Sequence, residues 1–339
     1  MLYTTTRDNK DAYTAHRTLV ENSAPDGGAF VPFRMPKLTT DEIAELCTKN
    51  FAQAIAEILN RFFACKLTGW DVEFCIGRNS IRLSTMPHRI VIAELWHNPD
   101  GIYEHICNSL YHKLCNMNSG EPSEWFVIAS HIAVLFGIYS EICGAGIVSQ
   151  GDMIDLTVMA DNLTVPIAAV YARQMGLPLG MIILTSENSN NLWDVIHLGE
   201  ISAPCNQELL TSYERLIYAL LNLSSAETFR NAMLAKRIYR IEEEQLPLFN
   251  KGLFCAVTGN NRSAQNINSI FRSNSYILDP ATALSIGGLQ DYRAKSGDSR
   301  LTLALSYMSP MNCIREISEA TGMSQEKLTS ILSKPLDGR

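Results

Sequence analysis

The spacing of hydrophobic residues predicts several helices along the chain. In residues 51–63 the apolar positions recur every three or four residues, which is the period of an amphipathic helix. Thr40 stands just before the acidic residues Asp41 and Glu42, so we expect it to be the N-cap of an earlier helix. The first eighty residues are therefore expected to be largely helical after an irregular start. Further helices are expected at residues 106–114, 123–143, 209–223, 226–240 and, closing the chain, 311–321.

A strand–helix–strand alternation follows in the middle of the chain. Residues 155–160 have the length and composition of a strand, 167–175 have a helical period, and 179–185 again resemble a strand. Gly176 and Pro178 separate the helix from the second strand, as expected at a helix C-terminus. This order predicts two parallel strands joined by a right-handed crossover, and hence an α/β fold. Further strands are expected at residues 89–93 and 301–306, and polar loops at 116–123, 188–191 and 259–263.

Composition and charge exclude some classes of partner. The chain has 339 residues, of which 46% are hydrophobic, and a formal net charge of −7 without a basic cluster. Nucleic acid and anionic membrane surfaces are therefore not expected as partners. The longest apolar run, residues 126–138, is shorter than the roughly 18 residues that span a bilayer. Nine cysteines without a Cys-x-x-Cys pair indicate reduced thiols, and the polar N-terminus does not predict a signal peptide, so a cytoplasmic location is expected.

Four segments resemble motifs of the threonine synthases. Residues 3–7 (Tyr-Thr-Thr-Thr-Arg) and 24–32 (Ala-Pro-Asp-Gly-Gly-Ala-Phe-Val-Pro) are similar to the beginning of that family. Residues 276–283 (Tyr-Ile-Leu-Asp-Pro-Ala-Thr-Ala) resemble its Tyr-Leu-Leu-Asp-Pro-His-Thr-Ala motif. Residues 94–105 (Glu-Leu-Trp-His-Asn-Pro-Asp-Gly-Ile-Tyr-Glu-His) resemble the family's Glu-Leu-Phe-His-Gly-Pro-Thr-Leu-Ala-Phe-Lys-Asp, which carries the lysine that binds pyridoxal phosphate (PLP).

The resemblance implies the tryptophan-synthase-β-like fold of the PLP enzymes of fold type II. We expect an N-terminal helical region at residues 1–80 and, at 81–339, an α/β large domain with a parallel sheet. The loop at residues 116–123 falls where the family has a long block. The small mobile domain on the PLP side is therefore expected to be largely absent, together with its Ser-Gly-Asp-Thr-Gly loop.

The positions that bind the cofactor in the family are altered in this chain. Glu104 stands at the lysine position, and Lys113, nine residues further on, would face the opposite side of the helix. The phosphate turn falls on residues 160–165, which have no glycine and include Asp161. Tyr307 stands where the family has a small hydroxyl residue beside the pyridine nitrogen. Four losses together, counting the mobile-domain loop, predict that the chain does not use PLP.

A vacated cleft is expected to bring several polar residues together. Glu104, His105 and His131 are candidate general acids and bases. His97, Tyr103, Asn162, Tyr307 and Ser309 are candidate residues of a ligand pocket. Alternatively, these side chains fill the old pocket and bind one another. A metal site is not expected, because Glu104, His105, His112 and Cys115 do not have the spacing of a metal motif.

Three functions stay open at this point. The first is a pseudoenzyme that has lost PLP binding and acts through a protein partner, self-association or a small amino-acid-like ligand. The second is a repurposed, PLP-independent enzyme that uses Glu104 and nearby histidines. The third is an active PLP-dependent threonine synthase acting on O-phosphohomoserine.

Overall fold

The computed structural model describes residues 1–78, 80–117, 119–160, 162–187, 192–202 and 206–333. The strands are β1 (Leu2–Thr5), β2 (Tyr13–Thr14), β3 (Phe30–Pro32), β4 (Arg82–Met86), β5 (Ile90–Glu94), β6 (Ile154–Met159), β7 (Leu179–Ser186), β8 (Glu200–Ile201), β9 (Tyr239–Arg240), β10 (Leu253–Val257) and β11 (Thr302–Ser306). The helices are α1 (Ala15–Val20), α2 (Thr40–Leu46), α3 (Phe51–Phe63), α4 (Gly69–Ile76), α5 (Glu104–Cys115), α6 (Glu124–Gly144), α7 (Thr164–Met175), α8 (Leu192–Leu198), α9 (Gln207–Leu220), α10 (Leu223–Leu234), α11 (Leu246–Phe249), α12 (Asn260–Asn274), α13 (Pro280–Ser296), α14 (Ile314–Thr321) and α15 (Gln325–Leu332). A 3-10 turn, Pro310–Cys313, precedes α14.

A six-stranded sheet organises the large domain. Its strand order is β10-β7-β6-β11-β5-β4, and β4 is antiparallel to β5 while the other neighbours are parallel. Successive side chains of a strand point to opposite faces. Val91 and Ala93 of β5 accordingly pack into one apolar cluster, while Ile90 and Ile92 pack into the other. Both faces of the sheet are covered by helices, as parallel strands require, and the predicted α/β fold with its β6–α7–β7 unit is confirmed.

The longest helix, α6, runs through the middle of the core. It packs between α3 and α7, and Trp125 at its start meets the rings of Tyr3, Phe62 and Tyr171. Within the described part of the chain, one helix is long and apolar enough to cross a membrane, and that helix is α6. In the molecule, 83% of its apolar 18-residue segment is buried. The sequence prediction that the apolar run is too short was wrong, because the helix extends past both ends of residues 126–138. It also contains Ser130, whose hydroxyl donates to the Val127 carbonyl.

The N-terminal region begins with strands and not with an irregular segment. Strands β2, β1 and β3 form a small antiparallel sheet. The expected turn before β3 is present, with Gly27 at a φ of +73° and its N–H donating to the Ala24 carbonyl over 2.8 Å. The helix over 51–63 is confirmed as α3. The N-cap of α2 is Thr39 and not Thr40, because Glu42 lies three residues after Thr39 and the two residues form a reciprocal capping box.

Several other boundaries differ from the predictions. The helix expected over 226–240 ends at Leu234, Lys236 has a φ of +53°, and the following residues pair as β9 with β8. The loop expected at 259–263 is the first turn of α12. The helix expected over 311–321 is divided into the 3-10 turn and α14, and α15 follows it. Strands β4 and β10 were not predicted, and the loop expected at 188–191 lies outside the described residues.

Candidate functional site

The segment between β5 and α5 lies between two clefts. It contains residues 95–103 and leaves the sheet beside β11, where the Leu95 N–H donates to the Ser306 carbonyl over 2.9 Å. One cleft, of about 290 Å³, has Glu104 on its wall and is called the Glu104 cleft here. The other, of about 570 Å³, has Glu94 on its wall and is called the Glu94 cleft. In open α/β sheets, ligands bind beyond the carboxyl ends of the strands, which makes both clefts candidate sites.

Three aromatic rings form the floor of the Glu104 cleft. His131 of α6 stacks on Tyr103 with ring centroids 4.4 Å apart, and Tyr307 meets both rings edge-on at 5.1 and 5.6 Å. Burial lowers the pKa of His131 to about 3, so its imidazole is neutral at physiological pH. Burial also raises the pKa values of Tyr103 and Tyr307. The floor therefore consists of three uncharged rings.

The wall of the Glu104 cleft comes from the beginnings of two helices. Glu104 is the first residue of α5 and is exposed to solvent. Asn162 precedes α7, and its Oδ1 accepts a hydrogen bond from the Thr164 N–H over 3.2 Å. That bond uses one of the backbone donors that a helix N-terminus otherwise offers to an anion. Asp161, predicted to oppose a phosphate, lies outside the described residues.

The Glu104 cleft contains five of the eight predicted site residues. These are Tyr103, Glu104, His131, Asn162 and Tyr307. The structure places the other three outside this cleft, each in contact with another residue. They are His97, whose Nε2 lies 2.7 Å from Glu94, His105, whose Nδ1 lies 2.7 Å from Asp100 Oδ2, and Ser309, whose N–H donates to the Gly101 carbonyl over 2.8 Å.

Two other side chains considered from the sequence, Lys113 and His112, do not line the Glu104 cleft. Lys113 forms an ion pair with Asp71 of α4 over 2.9 Å. His112 lies 3.0 Å from the Gly120 carbonyl through its Nε2. Among the residues that the structure describes, no three His, Cys, Asp or Glu side chains form a group that could hold a metal ion.

Glu94, the last residue of β5, is the centre of a buried hydrogen-bond network. Its carboxylate is 2% exposed and accepts hydrogen bonds from the Ser84 hydroxyl, the Tyr276 hydroxyl and His97 Nε2, each over 2.7 Å. Burial by itself would raise the pKa of this carboxyl, but these hydrogen bonds outweigh burial and lower the pKa below its ordinary value. Glu94 is therefore ionised at neutral pH, with His97 Nε2 as a donor because a carboxylate only accepts.

A second carboxylate lies beside this network. Asp279 caps the first turn of α13 and accepts hydrogen bonds from Thr282 and from the Ser306 hydroxyl over 2.5 and 2.7 Å. Ser306 in turn accepts the indole N–H of Trp96 over 3.0 Å. Burial raises the pKa of Asp279 although both donors oppose it. The bonds among Trp96, Ser306 and Asp279 thus connect the segment after β5 to β11 and to the beginning of α13.

Known proteins resemble the chain in sequence at its N-terminus and in fold throughout. Residues 2–79 match the family described as Threonine synthase N terminus. The crystal structure of threonine synthase from yeast superposes with a TM-score of 0.81 at 14% identity, covering 96% of this chain and 91% of that chain. The PLP-bound threonine synthase from Brucella melitensis superposes with a TM-score of 0.77 at 14% identity, covering 99% and 95%. The chain has the threonine synthase fold.

A similarity in sequence extends to the Threonine synthase-like 1 proteins of Homo sapiens and Pongo abelii. Each is 24% identical over 183 residues, which is 50% of this chain. The match covers 24% of the length of these curated relatives, so the chain corresponds to about a quarter of them.

The threonine synthase motifs divide the site residues into two sets. Four polar residues that agree with the motifs lie on the Glu94 side. Glu94 is hydrogen-bonded to His97 and Tyr276, and beside them Asp279 accepts a hydrogen bond from Ser306. Glu104 and Tyr307 differ from the motifs and both line the other cleft. The sequence reasoning did not predict the Glu94 network. A signal for it was present in the sequence, however, because Glu94, His97, Tyr276 and Asp279 lie in the segments that resemble the motifs.

Proposed function

We propose that this chain is a non-catalytic, PLP-independent threonine synthase-like protein that acts in the cytoplasm by binding a protein partner or a small ligand. The observation that carries the proposal is the carboxylate of Glu104 at the position of the cofactor lysine. Within the described residues, no lysine lines the Glu104 cleft.

The residues of the Glu104 cleft do not fit PLP. The cofactor needs a lysine amine, and Lys113 is held by Asp71 outside the cleft. It also needs backbone donors for its phosphate, and Asn162 engages the Thr164 N–H at the start of α7. Glu104 has a carboxylate where the cofactor needs an amine, and a carboxylate cannot form a Schiff base. These three features support the proposed loss of the cofactor and of threonine synthase activity.

The geometry also argues against a replacement enzyme in the same cleft. A general base works best with a pKa near the operating pH, whereas the pKa of His131 is about 3. Burial raises the pKa of the Cys107 thiol, another residue of the cleft, to about 11, which keeps it protonated. His105 is paired with Asp100 and lies outside the cleft. Glu104 is left without a proton-transfer partner among the described residues that line the cleft.

Exposed aromatic residues support a protein partner or self-association. Trp70 and Phe74 of α4 are 65% and 74% exposed and stack on each other with centroids 5.6 Å apart. Contiguous exposed apolar surface is typical of interaction sites.

Reductive trapping tests the loss of the cofactor. The purified protein is mixed with PLP, treated with borohydride and digested, and the labelled lysines are identified by mass spectrometry. Threonine formation from O-phosphohomoserine is measured in parallel, with the PLP-bound Brucella melitensis threonine synthase as the positive control. We expect no visible Schiff-base band, no stoichiometric label and no threonine. A stoichiometric label on one lysine together with threonine formation would refute the proposal.

A further inference from the structure

The Glu94 cleft is the larger of the two clefts and has a divided lining. It is about 570 Å³ in volume and opens beside the edge strand β4. Arg82 and His97 lie on its polar side. Its apolar side comes from residues of four different parts of the chain, among them Met86, Ile277, Pro310 and Leu332. A volume of this size accommodates a small organic molecule.

Arg82 is the unusual residue of this lining. It is paired directly opposite Glu94 in the β4–β5 ladder, so the two side chains lie on the same face of the sheet. An ion pair would be expected at this position, but the structure has none, because Ser84, Tyr276 and His97 already donate to the Glu94 carboxylate. Within the described part of the chain, the Arg82 guanidinium has no hydrogen-bond or ion-pair partner, and it lines the cleft.

The lining indicates the charge of a ligand. Arg82 and Glu94 are its charged residues among those described, and the Glu94 carboxylate is already engaged. An amine would therefore find no available carboxylate, whereas a carboxylate would find the guanidinium, which binds such groups in a bidentate manner. The apolar side adds a surface for a short hydrocarbon chain.

We propose that the Glu94 cleft binds a small aliphatic carboxylate, with its carboxylate on Arg82 and its hydrocarbon chain against Ile277, Pro310 and Leu332. The site is separate from the Glu104 cleft. It rests on the ligand-binding form of the proposed function, for which it supplies the location and the chemical class of the ligand.

Calorimetric titration of the full chain with hexanoate tests the site. We expect binding with a Kd of about 1 mM or tighter, and much weaker binding of 1-hexanol, which lacks the charge. Arg82→Gln should weaken hexanoate binding about tenfold or more, and Arg82→Lys should weaken it less. The matched control is Arg89→Gln, because Arg89 is an exposed arginine of the same hairpin outside the cleft, and it should bind as the wild type does.

A second pair of measurements separates the hydrocarbon from the charge. Leu332→Ala should weaken hexanoate binding and leave acetate binding unchanged. Thermal unfolding of each variant verifies that it is folded. Absent hexanoate binding, equal binding by wild type and Arg82→Gln, or phosphate binding as tight as hexanoate would each overturn the proposal. None of these results bears on the cofactor test, because trapping detects a lysine label and the titration contains no PLP.

Discussion

The two clefts on either side of residues 95–103 have opposite relations to the threonine synthase motifs. Around Glu94, the motif residues Glu94, His97 and Tyr276 are kept and are joined by short hydrogen bonds. Around Glu104, the motif residues are replaced, and three uncharged rings form the floor. At the position where the family has its lysine, this chain has the solvent-exposed carboxylate of Glu104.

Under the proposed loss of PLP, this difference separates residues that hold the fold from residues at the family's cofactor positions. A buried carboxylate with three donors is costly to disturb, because each donor left without an acceptor loses its hydrogen bond and stays desolvated. An exposed residue at a family cofactor position has no such structural role in a protein that does not bind the cofactor. The Glu94 network is therefore expected to resist change, while the Glu104 cleft is free to vary.

Removal of Glu94 should have the largest effect on stability. Glu94→Ala leaves Ser84, His97 and Tyr276 without their shared acceptor, and we expect it to lower the free energy of unfolding by about 3–5 kcal/mol. Urea denaturation measures this change. The matched control is Glu104→Ala, which should leave the free energy of unfolding close to that of the wild type. Equal losses in the two variants would contradict the comparison.

Acid should destabilise the fold through His131. The pKa of His131 falls from an ordinary 6.5 to about 3 in the folded state, so below pH 6.5 the unfolded chain binds a proton that the folded chain does not. His131→Gln, which has a polar side chain that does not titrate, removes this difference. Between pH 6.5 and 4.5 the wild type should lose about 2 kcal/mol more stability than the variant, measured by urea denaturation at each pH. If the free energy of unfolding changes equally with pH in the wild type and in His131→Gln, then His131 takes up its proton in the folded state and the prediction is wrong.

Trp96 allows a smaller test of the Glu94 side. The family motif has Phe at this position, and Trp96→Phe deletes the indole donor to Ser306. We expect a loss of about 1 kcal/mol in the free energy of unfolding, since Ser306 keeps its bond to Asp279. An unchanged or higher stability would mean that the indole bond contributes nothing to holding the segment after β5.

The sequence predicted the fold better than it predicted the site. Hydrophobic periods and the Gly176–Pro178 stop were enough for α3, α7 and the parallel pair around α7, because these signals are local. Strand β4 was missed because it is a partly exposed edge strand with little apolar character. Likewise, His97 and Glu104 lie in one motif, and the sequence therefore suggested one shared site. The pairing of β4 with β5 and the contact of Tyr276 with Glu94 determine which cleft each residue lines.

The Glu104→Lys variant provides the most direct test of the claim that the whole cofactor cleft, and not one residue, has changed. The variant restores the lysine of the motif and leaves the aromatic floor and the α7 turn as they are. PLP addition, borohydride reduction and peptide mass spectrometry measure the fraction of Lys at position 104 that carries the cofactor. The account predicts no more label there than on ordinary surface lysines. Stoichiometric labelling with a visible Schiff-base band would contradict it, because a single substitution would then have been enough to restore cofactor binding.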